Sequence, residues 1–386
     1  MKIVLSSTAL SDAVKMLSQA LNRKNALPIL GDFHFDVNGK EVTITASDSE
    51  VTLQRTLDCL KESLFDGKFC VPATQLRDAL VGISEQPITL DADVEHNSFK
   101  VIHSTGETYF AITSPIADEY PMPAQQKYTK ELTVESTDLI DAINRCLWAT
   151  AKDDLRPNLG GVYFDIDGDS LTVVASDGSC IVKTEIFTGA DAGKGGFLLP
   201  KKAAMILAKQ PKSSHLHISY NKAKVLIESE CIKMYATQVD AKYPNYNKVI
   251  PEAQNCTYQA KLNRINLMNI AHKIEPFTIQ SATTSRIALV FGAGDNPQLE
   301  VRGEDYDMSM GAFDTMHIEK AEGGISEPLA IGVSAIRLAQ VLKCFNEMYV
   351  TIYTFGDTKP VVIKESDPGE EAPEITTLIM PVLLND

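Results

Sequence analysis

Residues 30–49 read LGDFHFDVNGKEVTITASDS, and residues 159–178 read LGGVYFDIDGDSLTVVASDG. Set against each other at an offset of 129, nine positions agree: Leu30/Leu159, Gly31/Gly160, Phe35/Phe164, Asp36/Asp165, Gly39/Gly168, Thr43/Thr172, Ala46/Ala175, Ser47/Ser176 and Asp48/Asp177. Each stretch reads as a β-hairpin. Phe33, Phe35 and Val37 alternate, a turn carries Gly39, and Val42, Ile44 and Ala46 alternate again, so one face of each strand is apolar.

The similarity extends in both directions. Upstream, Val14, Leu17 and Leu21 recur at helical spacing within Ser11 to Leu21, as Leu139, Ile143 and Leu147 do within Thr137 to Leu147. Downstream, Phe69-Cys70-Val71-Pro72 opens a short helix (ATQLRDAL) and Phe197-Leu198-Leu199-Pro200 opens another (KKAAMILA), with proline at a helix start, where its missing N–H is tolerated. The two units close on Tyr120-Pro121 and Tyr243-Pro244. A weaker third unit has a helix pattern over Leu262 to Lys273, a strand over Ile287 to Phe291, a helix over Ser334 to Cys344 with Ser334 as N-cap, and a last strand over Thr376 to Val382.

Three units of about 129 residues fill the 386-residue chain. The reading is α+β: three tandem pseudo-symmetric domains over 1–125, 129–252 and 254–386, each with two helices on antiparallel sheet. Solenoid repeats are shorter, and pseudo-symmetric copies of domain size tend to close into rings.

Acidic residues number 51 and basic residues 36, a formal net charge of −15. Taken whole, that charge argues against nucleic acid. Six helical windows (8–24, 73–84, 137–152, 200–212, 261–273 and 334–344) nevertheless sum to +11, leaving −26 elsewhere. Helices sharing one face would present a basic surface on an acidic body.

No apolar run is long enough for a membrane span, and the N-terminus turns polar too early for a signal peptide. Seven cysteines, odd in number and with no C-x-x-C pair, read as core thiols of a reducing cytoplasm. Asp165-Ile166-Asp167-Gly168-Asp169 lacks the glycine and glutamate positions of a calcium loop and falls on a hairpin turn. Gly193-Lys194 fails the phosphate-loop spacing. His215-x-His217 has no third ligand nearby and reads as a surface strand, so neither metal nor cofactor is expected. No catalytic signature is found, which favours a binding protein over an enzyme.

With Leu27-Pro28-Ile29-Leu30-Gly31, Asp154-Leu155-Arg156 running to Leu159, Ala175-Ser176-Asp177-Gly178, Tyr243-Pro244-Asn245-Tyr246, Val249-Ile250-Pro251 and Met380-Pro381 in this order, the chain resembles the β subunits of bacterial DNA polymerase III, the sliding clamps. The resemblance covers essentially the whole chain. It implies half of a six-domain ring, a head-to-tail homodimer encircling duplex DNA without reading its sequence. It implies a non-catalytic processivity factor of bacterial cytoplasm, nucleoid-associated during replication. Partners would be the polymerase III catalytic subunit, the clamp loader, and other polymerases and repair proteins carrying clamp-binding peptides, with no membrane.

The residues that match the family's peptide pocket are Leu159, Ser176, Gly178, Ile181, Pro244, Val249, Leu378, Met380, Pro381 and Val382. Those that match its DNA face are Arg23, Lys24, Lys152, Lys201 and Lys202. This chain has Ser179-Cys180 where the family often has His-Arg, Pro157-Asn158 in place of an aromatic pair, and Thr74 in place of a basic residue. Two other readings stand beside this one: a DNA ring serving repair or checkpoint proteins, and an acidic cytoplasmic hydrolase with a duplicated gene.

Overall fold

The structure, a computed structural model, describes residues 1–22, 27–63, 66–112, 117–152, 155–212, 215–230, 232–278, 285–294, 297–305, 308–369 and 372–384. One order of elements is traversed three times. The first pass runs β1 (Lys2–Ser6), α1 (Ser7–Leu17), β2 (Asp32–Asn38), β3 (Glu41–Ser47), β4 (Val51–Asp58), β5 (Gly67–Pro72), α2 (Ala73–Ala79), β6 (Pro87–Asp93), β7 (Ser98–His103) and β8 (Gly106–Ala111). The second runs β9 (Lys130–Glu135), α3 (Ser136–Cys146), β10 (Gly161–Asp167), β11 (Ser170–Ser176), β12 (Cys180–Phe187), β13 (Lys194–Pro200), α4 (Lys201–Leu207), β14 (His215–Tyr220), β15 (Lys224–Glu228) and β16 (Lys233–Thr237). The third runs β17 (Tyr258–Asn263), α5 (Arg264–Ile274), β18 (Arg286–Phe291), β19 (Gln298–Asp305), β20 (Met310–His317), an additional short β21 (Lys320–Glu322), β22 (Leu329–Ser334), α6 (Ala335–Leu342), β23 (Tyr349–Thr354), β24 (Val361–Glu365) and β25 (Glu374–Ile379).

The hairpins that the repeat announces are present in register. Phe35 pairs with Ile44 and Phe164 with Val173. Each two-residue loop begins on a glycine at positive φ, +59° at Gly39 and +69° at Gly168, where a side chain would be strained. Phe33, Phe35, Val37, Val42, Ile44 and Ala46 are all buried. Ser334 caps α6, its hydroxyl accepting from the Arg337 N–H at 3.4 Å.

Each pass makes two four-stranded half-sheets. One has the order β5-β2-β3-β4, β13-β10-β11-β12 or β22-β18-β19-β20; the other β1-β6-β7-β8, β9-β14-β15-β16 or β17-β23-β24-β25. Joints between passes always use the last strand of each kind. β4 pairs with β16 to give an eight-stranded sheet, and β12 pairs with β25 to give, with β21, a nine-stranded one. The chain accordingly divides into two compact units, Met1–Thr137 with Met205–Gln238, and Asp138–Ala204 with Val239–Asp386. In the first unit α1 packs beside α2; in the second α5 packs beside α6.

Two expectations are corrected. The helices end earlier than their sequence windows, so they carry eight basic residues against four acidic ones, +4 in place of +11. Lys152, Lys209, Lys212, Lys261 and Lys343 lie outside the helices, and Arg23 and Lys24 lie outside the described residues. The last strand also stops at Ile379 rather than Val382. Pro381 has no N–H to continue a ladder, and the tail is tied elsewhere, Val382 N–H donating to Gly332 O at 2.8 Å and Arg286 to Leu383 O at 3.0 Å.

Candidate functional site

At the second joint a row of residues crosses five strands in register. Ser176 on β11 faces Ile181 on β12, which faces Leu378 on β25, then Val362 on β24, then Tyr353 on β23. Strand residues in register share a sheet face, so the row is continuous apolar surface beyond Ser176. Ile181, Leu378 and Val362 join Leu159, Val174, Leu198, Tyr243 and Tyr246 in one cluster, with Tyr163, Val239, Ile250, Tyr353 and Phe355 half-buried around it.

The Tyr-Pro segment packs over this floor. Tyr243 stacks on Tyr163 with centroids 4.7 Å apart and planes at 5°, and meets Tyr246 edge-on at 6.5 Å. Tyr246 OH donates to Asp165 at 2.7 Å. Burial raises the pKa of both tyrosines, and the Asp165 bond raises Tyr246 further. The rim is apolar and open to solvent: Val249 is 47% and Met380 40% exposed, Pro244 is exposed, and Pro381 and Val382 are half-buried. Exposed apolar side chains beside a buried apolar cluster suit contact with an extended ligand bearing apolar side chains. The flexible thioether of Met380 suits varied ones.

The turn between β11 and β12 forms one wall. Ser176 Oγ donates to Cys180 O at 2.8 Å and accepts from Gly178 N–H at 3.1 Å. Gly178 sits at φ +89°, and a Cβ there would lie 2.6 Å from Arg156 Nη1. Arg156 donates to Asp177 O at 3.0 Å, and the short helical turn Pro157–Leu159 places Leu159 beside it. Met380 N–H donates to Ser179 O at 2.8 Å, which ties the rim to the turn.

The cationic candidates divide. Lys152 and Lys201 are close enough that burial, and then the Lys152 charge, lower the Lys201 pKa. Lys202 is the next residue of α4. Arg23 and Lys24 lie outside the described residues. Several helix cations are already engaged: Arg145 with Cys344 O, Arg264 with the carbonyls of Leu342, Asn346 and Glu347, Lys273 with Asp314, and Arg337 with Asp177.

The discounted motifs have structural uses. Asp165 receives Tyr246, and Asp167 pairs with Lys194 at 3.0 Å. His215 and His217 face Glu135 and Glu131 at 2.9 and 3.9 Å on the exposed face of β14 and β9. Among the described residues no group of three or more His, Cys, Asp or Glu is arranged to hold a metal ion, and no helix is long and apolar enough to cross a membrane. Cys70, Cys146, Cys180 and Cys344 are buried and free, while Cys231 lies outside the described residues.

Sequence reading overlooked Val362, Tyr353, Tyr163 and Arg337. Only strand alternation marked the first three; Tyr163 meets Tyr243 by ring stacking and Arg337 meets Asp177 as an ion pair, in each case between segments far apart in sequence.

Residues 1–124 match the family described as DNA polymerase III beta subunit, N-terminal domain, and residues 133–245 match its central domain. A beta sliding clamp of Synechococcus elongatus is 24% identical over 392 residues, covering 100% of both chains, and one of Staphylococcus epidermidis is 22% identical over 97% of this chain and 96% of its own. Among solved structures, the sliding clamp of Pseudomonas aeruginosa bound to griselimycin superposes with a TM-score of 0.90 at 18% identity, each chain fully covered. The beta clamp of Helicobacter pylori bound to a DNA ligase peptide gives 0.84 at 20% identity, over 99% of this chain and 100% of its own. By its repeated architecture and by these matches, the chain belongs to the DNA polymerase III beta subunit family, the bacterial beta sliding clamps.

Proposed function

We propose that this chain is a replication processivity clamp: a non-catalytic, homodimeric ring around duplex DNA that tethers the replicative polymerase, the clamp loader and other peptide-bearing partners. The observation that carries the reading is the use of strand edges. β4 is joined to β16 and β12 to β25, which leaves β20 and β8 as the two strand ends of these kinds without a neighbour among the described residues. Both strands are largely exposed, with Tyr109 73% and Phe313 69% accessible. Pairing β20 of one copy with β8 of another repeats the internal joint, and a second such pairing closes the assembly.

In this reading the domains are 1–125, 129–252 and 254–386. Six of them surround the duplex, with Arg23, Lys24, Lys152, Lys201 and Lys202 meeting phosphates. The contacts are few and salt-sensitive, which suits sliding. The pocket built on Leu159, Ile181 and Leu378, rimmed by Ser176, Gly178, Pro244, Val249, Met380, Pro381 and Val382, takes the partner peptide. The site of action is the bacterial cytoplasm.

The test has two parts. Sedimentation should give twice the 42.2 kDa of one chain, and Tyr109→Asp with Phe313→Asp should give monomer. After loading, the protein should stay on nicked circular DNA through a high-salt wash and leave when the circle is cut. A strict monomer, or retention indifferent to cutting, overturns the reading.

A further inference from the structure

The wall of the pocket is anchored from the third repeat. Asp177 Oδ1 accepts from Ser179 N–H at 2.9 Å, Ser179 Oγ at 2.9 Å and Cys180 N–H at 3.1 Å, bonds that an aspartate-led turn makes locally. Its second oxygen takes Arg337 Nη2, and Arg337 Nη1 lies 3.0 Å from Cys180 Sγ. Arg337 stands in the first turn of α6, where Ser334 caps its own N–H, so the guanidinium projects from a fixed backbone. The two side chains are only 25% and 16% exposed, so water and salt screen the pair weakly. Ser179 O in turn holds Met380 N–H. One line of contacts therefore runs from α6 through Arg337 and the 177–180 turn to the exposed Met380.

The first joint has the matching turn, built on Asp48. Asp48 Oδ1 accepts from Glu50 and Val51 N–H at 3.0 and 2.7 Å, and its Oδ2 takes the neutral amide of Asn22 at 3.2 Å. With α4 and α6 aligned at their first residues, Ala203 stands at the place of Arg337.

We propose that Arg337 is a positioning residue of the partner pocket, holding the 177–180 turn, and through it Met380, in the conformation that receives an apolar peptide. This rests on the peptide-pocket reading above. Preforming the rim removes an ordering cost that binding would otherwise bear.

The probe is a synthetic peptide matching the C-terminal segment of the cognate replicative polymerase, titrated into the full-length protein. Arg337→Gln should weaken binding about ten-fold or more, chiefly through faster dissociation, the scale of such ordering effects. Arg337→Lys should recover most of the loss. Asp177→Asn with Arg337→Gln should bind no worse than Arg337→Gln alone, because both break one link. Melting temperatures track folding separately, and a purely structural role would move them without the rescue by lysine. Unchanged affinity and dissociation in Arg337→Gln, while Met380→Ala abolishes binding, overturns the proposal and leaves the pocket reading standing. A peptide that fails to bind the unmodified protein overturns the pocket reading and this inference with it.

Discussion

The two internal joints share one topology and differ in what they expose. At the second, Ser176, Ile181, Leu378, Val362 and Tyr353 stand in register; at the first, the same places hold Ser47, Thr52, Tyr235, Leu226 and Ser219. The first row is broken by hydroxyls. Ser47 and Thr52 are buried and bonded to each other at 2.7 Å, and Pro121, Met122 and Pro123 line the roughly 200 Å³ cavity beside them. Beneath, Tyr163 on Tyr243 is replaced by His34 against Tyr120, rings 5.3 Å apart. Backbone hydrogen bonding makes a joint wherever two such strands meet. A binding site needs, in addition, an apolar row left open at its rim.

The contrast can be broken at several points. The largest effect should come from Leu378→Ala, which empties a fully buried position and should cost about 2–5 kcal/mol of stability along with peptide binding. Its counterpart Tyr235→Ala should leave peptide binding intact. Denaturant melts and peptide titration check both. Next, Met380→Ala with Pro244→Ala removes exposed rim only. We expect a loss of about 2 kcal/mol or more in peptide affinity, with the dimer unchanged by sedimentation; unaltered affinity would reject the rim.

The turns offer a sharper pair. Gly178→Ala places a side chain at φ +89° against Arg156 and should destabilise by about 1–2 kcal/mol. Ser49, at the matching place, already has φ +79°, so Ser49→Gly should be neutral or slightly stabilising. Thermal unfolding distinguishes the two signs.

The smallest effect concerns pH. Burial lowers the His34 pKa, with the Lys68 charge adding to this and Asp36 and Asp118 opposing it, and its Nδ1 is buried without a partner. The unfolded chain therefore takes the proton first. Stability is full above about pH 6.5 and falls as pH drops below it, by at most about 1.4 kcal/mol per pH unit. His34→Phe, closer to the aromatic pair of the second repeat, should flatten the unfolding midpoint between pH 5 and 7, roughly the range where a histidine titrates.

Much of the fold was legible in the sequence because its signals are local. Alternation and a turn glycine define a hairpin within about twenty residues, and the repeat supplies the rest. Helix ends were overdrawn: Lys209 and Lys212 continue the polar pattern of α4, yet the helix stops at Leu207. That overdrawing inflated the helical charge. The proposed pocket was legible only through resemblance, since Ile181 and Leu378 have the pattern of ordinary core strands. Their meeting depends on β12 pairing with β25, and Arg337 reaches Asp177 from a helix in another repeat. No local rule announces either contact.

The most direct test of the account is the stoichiometry of the polymerase-derived peptide on the dimer, measured by calorimetric titration. One peptide per chain, lost in Met380→Ala with Pro244→Ala and retained in Tyr235→Ala, is the predicted result. Two peptides per chain, or binding that survives loss of the rim at the second joint, would contradict it.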